Sequence, residues 1–189
     1  MNSFDAVGIV VSAIESLSIE YMLVGSLSSN AYGIPRSTKD ADIEVALGED
    51  DFERIVAKIG DDFEVDRQQQ FELLTNSTKN VVIHSPTKFE IELFRLSNDD
   101  HHQERFSRRI RRKIGELGTE AWIPTAEDVV IQKLRWARRK DLDDVEGVIA
   151  VSGSQIDWDY CFRWADKHGT RDLLDQIVNE LPDFEIDDQ

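Results

Sequence analysis

The stretch from Gly25 to Val45, GSLSSNAYGIPRSTKDADIEV, gathers the residue types that could do chemistry. Asp40 and Asp42 stand two apart where carboxylates alternate with apolar residues from Ala41 to Leu47, the period-2 pattern of a strand with one polar face. Their carboxylates are therefore expected side by side. Such a pair suits Mg²⁺ or Mn²⁺, which take carboxylate, water and phosphate oxygens. Glu92, on a separate predicted strand, would supply a third carboxylate. Three carboxylates can hold two metal ions, one lowering the pKa of an attacking hydroxyl and one clamping a triphosphate and its departing pyrophosphate. Glu90 and Glu44 fall on the same predicted faces and are rival ligands.

Gly25 and Ser26 supply the complementary half. They follow the apolar run Tyr21-Met22-Leu23-Val24, which reads as a buried strand turning into a helix. A glycine at that junction lets a triphosphate approach the backbone, and the N–H groups and positive dipole end of the helix attract its charge. Ser26 adds a hydroxyl donor. Arg36 and Thr38, just before the carboxylates, are placed to touch phosphate as well. Neither Gly-Ser nor acid-x-acid is informative alone in a chain with 38 acidic residues. The signal is the order: apolar strand, Gly-Ser, short helix, carboxylate pair entering a strand, then a further acidic strand.

The elements around these residues follow from periodicity. Phe4, Val7, Val11, Ile14 and Leu17 predict an opening amphipathic helix capped at Asn2 or Ser3. A helix from Ser26 to Tyr32 ends at Gly33-Ile34-Pro35, and another spans about Glu49 to Ile59. Phe63-Glu64-Val65 reads as a weak strand and Gln68-Gln69-Gln70 as a loop. Val81-Val82-Ile83 and Phe89 to Phe94 read as strands. Beyond Asp99 the pattern is helical, with Phe106, Ile110 and Ile114 on one stripe, before a short strand at Ala121-Trp122-Ile123. Thr125 with Asp128 caps a helix to about Arg139. Three more helices follow, at 141–151, 158–167 and 171–181. The expectation is an α/β fold, a mixed sheet flanked by helices with a helical C-terminal half: a catalytic core over 1–123, a helical region packed on it over 124–182, and an acidic tail over 183–189.

Composition sets outer limits. A chain of 189 residues can bury a real core. The single cysteine, Cys161, excludes an internal disulfide framework, and no Cys/His spacing suggests a zinc site. No apolar run is long enough to span a bilayer, and the start lacks a signal-peptide pattern, so a cytoplasmic protein without a membrane partner is expected. The formal charge of -16 argues against broad nucleic-acid binding. One segment runs against it: His101 to Lys140 carries 11 basic and 5 acidic residues. Its arginines at 105–113 could track an RNA backbone, or could simply neutralise acidic neighbours. His101 and His102 are adjacent, so a shared metal is not expected. The four tryptophans, Trp122, Trp136, Trp158 and Trp164, read as core.

On the residues from Gly25 to Val45 the chain resembles the nucleotidyltransferase superfamily that includes DNA polymerase beta, whose pattern is Gly-Ser or Gly-Gly, two carboxylates one residue apart, and a third on a later strand. It looks closest to the AbiEii branch of toxins from abortive-infection and toxin–antitoxin systems. That closer resemblance rests on YMLVGSLSSNAYGIPRSTKDADIEV, on IELF at 91–94, and on TAEDVVIQKLRW followed by KDLDDV. It implies the superfamily's mixed sheet, metal ligation by Asp40, Asp42 and Glu92, and a triphosphate contact from Lys133. It also implies transfer of a nucleotidyl group from a nucleoside triphosphate to RNA such as tRNA, or to protein, with a cognate antitoxin as partner. Without it, Lys133 reads as an ordinary exposed lysine sharing a helix face with Trp136 and Lys140, and Asp141, Asp143 and Asp144 as acids at a helix start.

The third position is usually aspartate, and Glu92 is longer by one methylene. That departure motivates a rival reading, a catalytically silent fold acting as a binding or antitoxin module. A further alternative is an enzyme that modifies a small molecule such as an antibiotic.

Overall fold

The computed structural model describes residues 2–73 and 77–181, so the acidic tail lies outside the described residues. The chain divides into two compact units. The first comprises the residues up to Leu27 together with Ser37–Ile123. The second comprises Ser28–Arg36 and the chain from Pro124 onward. Ser28–Arg36, which the sequence places in the catalytic core, thus clusters with the C-terminal helices.

The first unit opens with α1 (Ser3–Ser16), whose capping box is complete: Asn2 Oδ1 accepts from the backbone of Phe4 and Asp5, and the Asp5 carboxylate accepts from the backbone of Asn2. Next come β1 (Tyr21–Val24), the start of α2 (Gly25–Tyr32), β2 (Asp40–Val45), α3 (Asp51–Ile59), β3 (Phe63–Glu72), β4 (Ser77–His84) and β5 (Phe89–Arg95). The strands form one sheet in the order β1-β2-β5-β4-β3, parallel between β2 and β5 and antiparallel elsewhere. After it stand α4 (Asp100–Arg108) and a separate hairpin of β6 (Ile110–Ile114) and β7 (Thr119–Ile123). This is the expected mixed sheet flanked by helices.

Strand alternation gives the sheet two chemically distinct faces. Tyr21, Leu23, Ala41, Ile43, Val45, Ile91 and Leu93 share one face and are almost fully buried. α1 covers that face, with Phe4 packed edge-on against Phe89 and the Tyr21 hydroxyl donating to Glu15. Asp40, Asp42, Glu44, Glu90 and Glu92 share the other face with Met22 and Val24. There Phe106 of α4 covers Met22 and Val24. One face builds the core and the other carries the acids.

Two local expectations are overturned. Gln68-Gln69-Gln70 is not a loop but the exposed middle of β3, an edge strand whose pairing with β4 shifts register between Asp66 and Gln70. Ile110 to Ile114 is a strand rather than the continuation of a helix. Ile110 and Ile114 are four apart, and four residues return a side chain to the same side in both a helix and a strand. Pairing with Thr119–Ile123 decides for the strand.

In the second unit α5 (Ala126–Trp136) begins at Thr125, whose Oγ1 accepts from the Asp128 backbone, and stops at Ala137, a left-handed residue with φ 51°. The helix expected to reach Arg139 is therefore cut short, and Lys140 falls in α6 (Arg139–Ser152) rather than on the face of Lys133. α7 (Trp158–His168) and α8 (Arg171–Glu180) complete the bundle. Of the tryptophans only Trp164 is buried; Trp122, Trp136 and Trp158 are half-buried.

The segment Ser28–Arg36 is clamped into this unit. The Tyr32 hydroxyl donates to the Pro124 carbonyl, and the Ser152 hydroxyl to the Tyr32 carbonyl. Gly33 lies so close to α6 that a Cβ there would stand 2.8 Å from the Val148 nitrogen and 2.9 Å from the Gly147 carbonyl carbon. Those neighbours are backbone and cannot rotate away. Gly33→Ala is expected to cost on the order of 1–3 kcal/mol by overpacking, measured by urea unfolding. An unchanged midpoint would mean the two segments separate without penalty.

Candidate active site

Gly25 joins β1 to α2 with φ +61°, a conformation open to glycine and strained for other residues. A second constraint fixes it more tightly. A Cβ at position 25 would lie 2.0 Å from Asp42 Oδ2, because antiparallel pairing sets Val24 opposite Asp42 and lays that carboxylate against the turn. The carboxylate thus occupies the space a side chain would need, at the start of a helix whose first N–H groups carry partial positive charge.

Asp40 and Asp42 share a face of β2, both half-buried. The parallel register with β5 sets Asp42 opposite Glu92 and Asp40 opposite Glu90. The three predicted carboxylates are therefore brought to neighbouring positions on one face. Glu90 is exposed at the rim of that group. Among the described residues, however, no three His, Cys, Asp or Glu side chains converge closely enough to hold a metal ion. The Glu92 carboxylate turns instead toward Lys79 of β4, whose Nζ donates to Glu92 Oε1 at 2.6 Å. Lys79 carried no signal in the sequence, since its meeting with Glu92 depends on the β4–β5 register.

Ser26 and Thr38 are linked to the carboxylates by a hydroxyl relay. Ser26 Oγ donates to Thr38 Oγ1 at 2.8 Å, and Thr38 Oγ1 lies 2.9 Å from Asp40 Oδ1 and 3.0 Å from the Asp40 carbonyl oxygen. The sequence suggested Ser26 and Thr38 as residues placed to touch phosphate. The structure shows a connected pair that orients Asp40.

Glu44, one of the rival ligands, is withdrawn from such chemistry. It is buried, with Oε2 accepting from Arg105 and Oε1 3.0 Å from His102 Nδ1. Burial pushes its carboxyl up, but the Arg105 guanidinium and the His102 ring more than offset this and hold it below the usual range. His102 and Arg105 lie one turn apart on α4, which Asp99 caps by accepting from the His101 and His102 backbone. The histidine's partner is a carboxylate on β2, a pairing the sequence did not reveal.

Arg36 and Lys133 lie in the second unit, and both are engaged. Asp144 accepts from Arg36 Nε at 2.6 Å and Nη2 at 2.9 Å, and from Lys133 Nζ at 2.7 Å. Lys133 Nζ also donates to Asp141 at 3.1 Å, and Asp141 accepts from Arg138 Nε at 2.6 Å. Lys133 is therefore not an exposed lysine, and Asp141 and Asp144 do more than begin a helix. Burial pushes both carboxyls up, but the bonded guanidinium and ammonium groups prevail and lower them. Arg36 keeps a side chain 35% exposed, while Asp144 and Lys133 are buried. Asn30 holds Arg36 in place by bonding its backbone N–H and carbonyl.

Three arginines of the basic segment pair with acidic residues elsewhere in the chain. Arg109 bonds Glu20 at 2.5 Å and stacks over Phe106. Arg111 lies 3.5 Å from Glu15 and 3.9 Å from Glu120. Arg105 is buried on Glu44.

No family model and no curated protein matches the chain. Solved structures do. The antibiotic-resistance factor ANT(2'')-Ia in solution aligns over 92% of this chain and 96% of its own, with 10% identity and a TM-score of 0.59. The same factor crystallised with adenylyl-2"-tobramycin aligns over 87% and 98%, with 11% identity and a TM-score of 0.58. An antigenic nucleotidyltransferase-like protein from Paracoccidioides brasiliensis aligns over 92% and 91%, with 16% identity and a TM-score of 0.55. No helix among the described residues is long and apolar enough to cross a membrane. These likenesses show that the chain has the fold of the nucleotidyltransferases.

Proposed function

We propose that the chain is a nucleotidyltransferase, dependent on Mg²⁺ or Mn²⁺, that moves a nucleotidyl group from a nucleoside triphosphate to an acceptor hydroxyl. The observation that carries this reading is the parallel register that sets Glu92 opposite Asp42, with Asp42 packed against Gly25 at the start of α2. The donor set fits a hard divalent ion, being carboxylate oxygen throughout. Asp40 and Asp42 would hold it, while Glu92, the third carboxylate of this face, is engaged by Lys79. Such an ion, when bound, draws charge from the triphosphate and lowers the pKa of the attacking hydroxyl.

The chain's own residues account for the rest. The first N–H groups of α2 attract the triphosphate. The Ser26–Thr38 relay keeps Asp40 oriented, and either hydroxyl can turn its proton to phosphate. Arg36 and Lys133, the cations expected to contact the triphosphate, are held on Asp144 within the second unit. Glu92 accepts the proton of the acceptor hydroxyl; the hydroxyl oxygen bonds to the α-phosphorus, the bond from that phosphorus to the bridging oxygen breaks, and pyrophosphate leaves.

For the acceptor, the internal pairing of Arg105, Arg109 and Arg111 favours a small molecule over a polyanion. With a formal charge of -16, an amine-bearing sugar such as the tobramycin named for ANT(2'')-Ia is the chemistry attracted. Incubation with each labelled nucleoside triphosphate and Mg²⁺, with tobramycin or with cellular RNA, tests both parts. Label is expected in the amino sugar. Label in RNA would instead support a toxin-like enzyme and overturn the acceptor assignment, and no nucleotide binding or transfer at all would leave a silent fold.

A further inference from the structure

Glu92 sits between two competitors. On one side β2 brings Asp42 into register with it, and on the other side β4 brings Lys79 within one residue pair, since Val81 opposes Glu92 and Lys79 opposes Phe94. Asp42, Lys79, Val81, Glu92 and Phe94 all share a sheet face. The Lys79 stem lies along Phe94, with Nζ 5.5 Å from the ring centroid, and its ammonium reaches Glu92 with side chains only 13% and 16% exposed. A pair so shielded interacts more strongly than one on an open surface. Asp40, Asp42, Glu90 and Glu92 crowd one end of this face with like charge, which Lys79 relieves. The extra methylene of glutamate provides the reach: the side chain that register aims beside Asp42 ends on Lys79.

Resting on the nucleotidyl-transfer reading of Asp40 and Asp42, we propose that Lys79 is a positioning residue that competes with divalent cations for Glu92, so that the site holds one such ion, on Asp40 and Asp42. A second ion near Glu92 would have to displace the ammonium or bind against its repulsion. Lys79 is thus a built-in monovalent cation in the place where a third carboxylate would otherwise complete a second metal site, and it sets metal stoichiometry rather than touching substrate.

The test is a Mn²⁺ titration of the full chain, counting bound ions by the loss of the free-ion electron paramagnetic resonance signal. Wild type is expected to bind one ion per chain, and Asp42→Asn to abolish it. Lys79→Met, which keeps the stem over Phe94, is expected to gain a second ion or to tighten Mn²⁺ binding by about tenfold. Adding Glu92→Gln to Lys79→Met should restore the wild-type curve, and Lys79→Arg should leave it unchanged. If the methionine variant does not fold, Lys79→Gln reads the same effect. A purely structural lysine would lower the melting temperature and leave Mn²⁺ affinity and stoichiometry alone, which overturns the inference; so does a wild type that binds two ions. Mn²⁺ binding indifferent to Asp42 would bring down the metal assignment itself, a result distinct from indifference to Lys79 alone.

Discussion

Asp42→Asn is expected to lower the rate of nucleotidyl transfer by on the order of a thousandfold, since several kcal/mol of charge stabilisation in the transition state would be lost. The substitution keeps the side-chain shape that fits over Gly25, so the turn into α2 is preserved. It also removes one of the like charges facing each other across β2 and β5. The folded state should therefore roughly hold its melting temperature, because relief of like charges directly opposite in the sheet offsets the lost attraction to the start of α2. Activity falling while stability holds is the signature of a functional carboxylate. Steady-state rates and thermal melts on the same preparation check it, and a variant with the wild-type rate would remove Asp42 from the chemistry.

Glu44→Gln should behave in the opposite way. Glu44, two residues along the same strand and on the same face, is buried on Arg105 and His102. Taking its charge leaves the Arg105 guanidinium buried without compensation, at an expected cost of about 3–5 kcal/mol. Replacing both members by methionine, which needs no counter-charge, should recover most of the loss. Because Glu44 is held below the ordinary glutamate value near 4.5, it binds a proton more readily unfolded than folded. Its contribution is thus complete above that value and is lost as pH falls through the lowered folded one. Asp141 and Asp144 share that sign. Urea unfolding of wild type should show stability declining on acidification below about pH 4.5, with a shallower decline in Glu44→Gln. A loss under about 1 kcal/mol would mean the pair is worth no more than an exposed one.

The contrast between Asp42 and Glu44 also marks what sequence and tertiary structure each decide. Alternation along Asp40–Val45 is written in neighbouring residues, so the strand, its acidic face and the Gly25-Ser26 turn could be read directly. The same holds for the cap at Asn2 and the capping residue Thr125, whose partners lie within three residues. Alternation does not say which acid faces solvent and which meets a guanidinium. Asp42 and Glu44 look alike in sequence, and only the packing of α4 on the sheet separates them.

Where two periods coincide, local pattern could not choose. Phe106, Ile110 and Ile114 satisfy a helix, while Ile110, Arg112 and Ile114 satisfy a strand equally well, and a partner strand settled it. Lys133 was legible as a cation but not as a buried one, because Asp141 and Asp144 come to it by the turn from α5 into α6. The sequence determined by itself the carboxylates, the glycine and the elements that carry them, since those depend on contacts between near neighbours. Only the tertiary structure decided that Glu92 stands opposite Asp42 yet ends on Lys79, because strand order and register join residues distant along the chain through backbone hydrogen bonds that no local pattern specifies.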